Sequence, residues 1–179
     1  MSRLKGFAAT DSIKPNTGMA PALQLLSREH TKLRRGMEQL WEFAAKSTVR
    51  KEDFVREWIR REQKLRCAWN LHTEKEEQIL LGVLSKYLDT DKGPAAVMKY
   101  EHELLEETFD ELEATMGHLA EHPGDEAAFQ KVAAQFRRAC QVVGDHCYKE
   151  ENAAFKLAQN LLTDSEKVLV LQLIRKKKQ

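Results

Sequence analysis

Four stretches of this chain place apolar residues at alternating steps of three and four, and each breaks the pattern with histidine or glutamate. The first runs from Pro21 to Ala45, with Leu23, Leu26, Leu33, Met37 and Leu40 on one stripe and His30 among them. The second, from Lys51 to Leu88, carries Leu65, Trp69, Ile79 and Val83 together with His72 and Glu76. The third opens at Pro94 and carries Met98, Leu105, Phe109, Leu112 and Met116 with His102. The fourth, from Asp125 to Leu162, carries Val132, Phe136, Ala139, Val143, Ala153 and Leu157 with His146 and Glu150. This is the spacing of helices packed against one another in a bundle.

The punctuation agrees. Pro21 and Pro94 suit first helical positions, and His122-Pro123-Gly124 breaks the chain between the third and fourth stretches. Thr163-Asp164-Ser165-Glu166 has the form of a capping box, opening a short fifth helix that runs into the basic tail. Residues 1–19 have no periodicity and are expected to form a flexible N-terminal arm. The fold expected is all-α: an up-down-up-down antiparallel four-helix bundle over 20–162, with the arm before it and residues 163–179 as a short C-terminal helix and tail.

A net charge of +1 offers no field for nucleic acid or for a membrane surface. No segment approaches the ~20 apolar residues of a membrane span, and residues 1–19 lack the apolar run of a secretory signal. Cys67, Cys140 and Cys147 are odd in number and have no zinc-ribbon spacing, so a cytoplasmic location is expected.

The six polar residues on the stripes repeat in order. Glu-His at 29–30 is followed by His72-x-x-x-Glu76-Glu77, and Glu-His at 101–102 by His146-x-x-x-Glu150-Glu151. With short connections the neighbouring helices run antiparallel, and at 1.5 Å per residue His30, His72, Glu76, His102, His146 and Glu150 reach one height near one end of the bundle. Buried carboxylates without compensation cost several kcal/mol each, so a cation is expected among them. Imidazole and carboxylate without thiolate suit iron, manganese or zinc better than calcium or magnesium. Six donors in two equivalent halves suit two ions, each with two histidines, joined by two carboxylates.

Other polar residues have plainer readings. His118 and His122 fall off the stripe near a helix end, where histidine suits the helix dipole. Glu74, Glu103, Glu107 and Glu151 are expected on solvated faces. Cys147 lies one position off the stripe and is expected not to be a ligand. Leu33, Trp69, Ile79, Leu105, Phe109 and Val143 lie one turn from the six and are expected to keep bulk water away.

The pattern Glu-His30, His72-x-x-x-Glu76, Glu-His102, His146-x-x-x-Glu150 resembles the hemerythrin-like (HHE cation-binding) domain family, over about residues 20–160. The resemblance implies a four-helix bundle with a non-haem di-iron centre, commonly oxo- or hydroxo-bridged. It implies His30 and His72 on one iron, His102 and His146 on the other, and Glu76 and Glu150 as bridges. Manganese and zinc are the expected substitutes. Oxygen-carrying members have His-x-x-x-His as the third motif; here Glu106 stands where the second histidine would be, as a weak ligand, an outer acceptor or a solvated neighbour. As outer acceptor or solvated neighbour, it leaves at least one iron with an extra open or labile position. The four-histidine set is more like that of di-iron proteins that repair iron–sulfur clusters, yet the arm is too short for their cysteine-containing N-terminal domain.

The expected function is therefore a binding or sensing module for O2 or NO, or a holder of iron. The alternative is an enzyme acting on NO or peroxide, or in cluster repair. No catalytic residue is assigned, since no further titratable group is placed as an acid or base. A small diatomic ligand or iron itself is the expected partner, and the arm and fifth helix are candidates for a homodimer contact.

Overall fold

The computed structural model describes residues 18–46 and 52–177. Helix α1 spans Pro21–Lys46 and α2 spans Glu52–Lys75, continuing without a break through a π-helical segment, Glu76–Leu81, and one last turn, α3, Gly82–Leu84. Helix α4 spans Gly93–Glu121. Helix α5 spans Glu126–Lys149 and passes through a second π-helical segment, Glu150–Ala154, into α6, Phe155–Leu161. Helix α7 spans Asp164–Lys176. There is no strand among the described residues. The expected arm lies almost wholly outside the described residues, as does the connection at 47–51.

Each boundary has a local cause. Asp125 caps α5 by accepting from the Ala128 N–H. Thr163 and Glu166 complete a reciprocal capping box at α7. Gly93 opens α4 at φ 62°, a conformation that residues with a Cβ rarely adopt, directly before Pro94.

Packing follows the stripes. Helix α1 packs on α2 and α5, and α4 packs on α5 and α2. Helix α7 folds back onto α1 and the first π segment, burying Val170 and Ile174. The buried apolar residues form two clusters. The larger contains Leu33 to Ala44, Val55 to Trp69, Leu105 to Leu119 and Ala128 to Cys147. The smaller contains Ala20 to Leu26, Ile79 to Leu84, Met98, Ala154 to Leu162, and the two residues from α7. The histidine and glutamate positions fall between the two clusters on every long helix.

The expected stripe holds through Glu150 and then slips. Ala154 and Ala158 are buried, whereas Ala153 is exposed and Leu157 only half-buried. A π turn admits one extra residue into the helical ladder, so the face after Glu150 advances by one and brings Phe155 into full burial. In the second helical run the same device makes Leu80 and Leu84 the most buried residues after Glu76, with Ile79 and Val83 still buried beside them.

Phe136 is fully buried in the larger cluster, ten residues before His146 and thus ~15 Å away along the helix. Phe136→Ala is expected to cost about 3–5 kcal/mol in chemical denaturation. A loss below about 1 kcal/mol would show that this end of the core is not close-packed.

Candidate metal centre

His30 on α1, His72 and Glu76 from the second helical run, His102 on α4, and His146 and Glu150 from the fourth all converge. None is more than 5% exposed. Glu76 and Glu150 are each the first residue of a π-helical segment. His30, His72, Glu76 and Glu150 each offer a ligand atom within 4.8 Å of the others, and so do Glu76, His102, His146 and Glu150. Either group could hold a metal ion, and the two carboxylates belong to both. Cys147 and Glu106 belong to neither group.

The shared carboxylates face both ways. Glu76 Oε1 is 3.0 Å from His72 Nε2 and 3.4 Å from His30 Nε2, while its Oε2 is 3.4 Å from His102 Nε2. Glu150 Oε2 is 3.0 Å from His30 Nε2 and 3.3 Å from His146 Nε2. Despite these distances, both oxygens of Glu76 and of Glu150, and Nε2 of His30 and His72, have no hydrogen-bond partner. They are close without being aimed at one another. Donors 2.0–2.2 Å from a common ion stand about 3 Å apart, which is the spacing found. The residues of either group therefore fit a metal ion. His102 Nε2 and His146 Nε2 are 3.2 Å apart, and without an ion one must carry a proton for the other to accept.

The outward ring nitrogens are all engaged. His30 Nδ1 donates to Glu151 (2.9 Å), His72 Nδ1 to Glu29 (3.1 Å), His102 Nδ1 to Glu77 (2.6 Å) and His146 Nδ1 to Glu101 (3.1 Å). A carboxylate can only accept, so each bond puts the imidazole proton on Nδ1 and leaves Nε2 facing inward. Glu29 and Glu101 also accept from Lys75 and Lys149, each three residues after the histidine it serves. Glu151, expected on a solvated face, is instead mostly buried, bound to His30, to Ser27 (3.3 Å) and to Arg34 (3.6 Å). The sequence signal was the acidic residue of each Glu-His pair and the second of each Glu-Glu pair.

Aromatic rings close the site. Trp69 lies against His146, His102 and His72 at centroid distances of 5.4, 5.9 and 6.0 Å. Phe155, brought inward by the π segment, stacks on His30 at 5.4 Å. Leu33, Ile79, Leu105, Phe109 and Val143 are buried as expected. Burial pushes the Cys147 thiol up to about 12, which keeps it protonated. His118 bonds Asp125 near the end of α4, far from these residues in sequence and exposed, as expected. Glu62, which sequence reasoning did not single out, is buried and its carboxyl is pushed up to about 7 by burial. It lies ten residues before His72, about 15 Å along the helix and outside the centre.

Charge balances within this layer. Burial works to lower the imidazole pKa values, but the carboxylates win and all four histidines are raised, His102 to about 9. Burial likewise works to raise Glu29, Glu76, Glu101 and Glu151, and the imidazoles and cations beside them hold all four below the usual range.

The chain belongs to the hemerythrin family: the model of the hemerythrin HHE cation binding domain matches residues 22–158. Comparison with curated proteins and with solved structures gives no significant match. The domain is a metal-binding one. No helix among the described residues is long and apolar enough to cross a membrane.

These shifts set the pH response of the metal-free chain. A raised histidine stabilises fully below its unfolded value of about 6.5, and for His102 that contribution is lost as pH rises through about 9. The lowered carboxylates act in the opposite direction, stabilising above their unfolded values and failing on acidification. Melting of metal-free protein should therefore be highest near pH 5–6.5, by the unfolded values of the two groups, and fall toward pH 9. A profile still rising from pH 6.5 to 9 would contradict the imidazolium–carboxylate cluster.

Proposed function

We propose that this chain is a hemerythrin-like protein whose His30, His72, Glu76, His102, His146 and Glu150 hold a non-haem di-iron centre that binds or senses O2 or NO, or holds iron. The observation that carries the reading is the convergence of unpartnered Nε2 and carboxylate oxygens between two apolar clusters. On this reading His30 and His72 would hold one ion and His102 and His146 the other, with Glu76 and Glu150 available to both. The mutual packing of the long helices supports an up-down-up-down antiparallel bundle over 20–162, and α7 agrees with a short C-terminal helix after it. Free Cys67, Cys140 and Cys147 agree with a cytoplasmic setting.

An iron pair at this position supplies redox-active Lewis-acid centres able to take a small diatomic ligand. The chain's own groups set the terms. Glu29, Glu77, Glu101 and Glu151 fix the four tautomers. Phe155, Leu105 and Val143 keep bulk water from the rest of the site, and Trp69 covers three of the imidazoles. Glu106, exposed on α4, is read as an outer neighbour rather than a ligand. One feature favours the enzyme alternative, turnover of NO or peroxide or a part in cluster repair: a cavity of about 410 Å³ reaches His102 and Trp69 from the surface, giving small reactants access. Anaerobic NO or peroxide kinetics separate the two readings.

Protein from iron-fed cells should carry two irons per chain with near-ultraviolet charge-transfer absorption; one tightly held ion, or none after reconstitution, would end the di-iron reading. Glu76→Ala or Glu150→Ala should remove more metal than Glu77→Ala or Glu151→Ala, because the first pair faces the ions and the second acts through an imidazole. Equal losses in metal analysis would contradict that division.

A further inference from the structure

The two halves of the centre repeat one another except at one corner. Three imidazoles are clamped in chains of three groups: His72–Glu29–Lys75, His146–Glu101–Lys149 and His30–Glu151–Arg34. The fourth chain stops at two. His102 Nδ1 donates to Glu77, and among the described residues no cation or other group pairs with Glu77, which is 42% exposed. The repeat shows what has changed. Four residues after His30 stands Arg34, which pairs with Glu151; four residues after His102 stands Glu106, of the opposite charge. Three residues before His102, Lys99 borders the same cavity, but its ammonium is held by Asp91 (2.9 Å) and Thr90 (3.3 Å). The cavity of about 410 Å³ lies at this corner, lined by Trp69, Glu77, Lys99, His102, Glu103 and Glu106 among others. His102 is also the most exposed of the four, at 5% against 0–1% for the rest.

We infer that the centre is kinetically asymmetric: the ion held with His102 exchanges with solvent through this cavity, and Glu106 is the positioning residue that keeps that side labile. The inference rests on the two-ion reading above. Moving a clamped imidazole off its ion means breaking a charge-assisted pair that includes a cation. Moving His102 means only that Glu77 follows it into water it already touches. Glu106 withholds the third member of the clamp, and with Glu77 and Glu103 it makes the opening electronegative, which raises the local concentration of cations and speeds their passage.

The test uses the full chain loaded anaerobically with Fe2+, its content measured, then mixed in a stopped-flow with excess chromogenic ferrous chelator. Two ions should leave in two phases of equal amplitude, with rates differing by about tenfold or more, the size of outer-group effects on metal affinity. Glu106→Arg should slow the fast phase by several-fold and leave the slow phase unchanged. Glu106→Gln should fall between the native protein and Glu106→Arg, and Arg34→Glu should speed the slow phase toward the fast one. Release of two ions in one phase, or a fast phase indifferent to both Glu106 variants in folded protein, overturns the asymmetry while leaving the two-ion reading intact. Loading that saturates below two ions overturns that reading itself, and the asymmetry with it.

Discussion

Glu76 and Glu150 are buried carboxylates in the middle of a helical protein, and the arrangement around them answers the cost of putting them there. Removing a charge from water costs several kcal/mol even after relaxation. Each of these two residues is met by inward-facing imidazole nitrogens, and each imidazole is met in turn by an outer carboxylate. The result is a polar layer with alternating charge that only makes sense as a whole. Any member taken singly would be an uncompensated charge in an apolar setting.

The π-helical segments are where the backbone adapts to that layer. Both begin at the central glutamates, in helices that are otherwise regular α. The extra residue lets one helix present His, Glu and Glu inward or sideways over two turns. It then resumes an apolar face rotated by one position. In the fourth helical run that rotation moves Ala153 out and Phe155 in. The ring stacked on His30 is thus a product of the same irregularity that starts at Glu150.

What the sequence could tell depended on period. Leu23 to Leu40 and Met98 to Met116 are regular, so burial followed the stripe residue by residue. His30, His72, Glu76, His102, His146 and Glu150 stood out because they interrupt those stripes in a repeated order. Ala153 and Leu157 were misplaced because nothing local in Glu150-Glu151-Asn152-Ala153-Ala154 distinguishes a π turn from an α turn. Glu151 was read as solvated because a second glutamate in a Glu-Glu pair points off the stripe, and only the neighbouring α1 brings His30, Ser27 and Arg34 to it. The doublets themselves were visible, but their meaning is tertiary. Cys147, one step off the stripe, is buried and takes no place in either ligand group.

The polar layer also divides the interior. Apolar side chains from Leu33, Trp69, Leu105 and Val143 onward pack together on one side, and those of Leu26, Leu80, Met98, Ala154 and α7 on the other. The two cores share little apolar contact across the histidines, so what joins them is helix backbone and the layer's own ionic bonds. On the proposed reading, metal held by Glu76 and Glu150 would tie all four long helices at that level. Its loss would leave the two ends freer to open separately, so metal content would then decide whether this small protein behaves as one cooperative unit or as two loosely coupled ones.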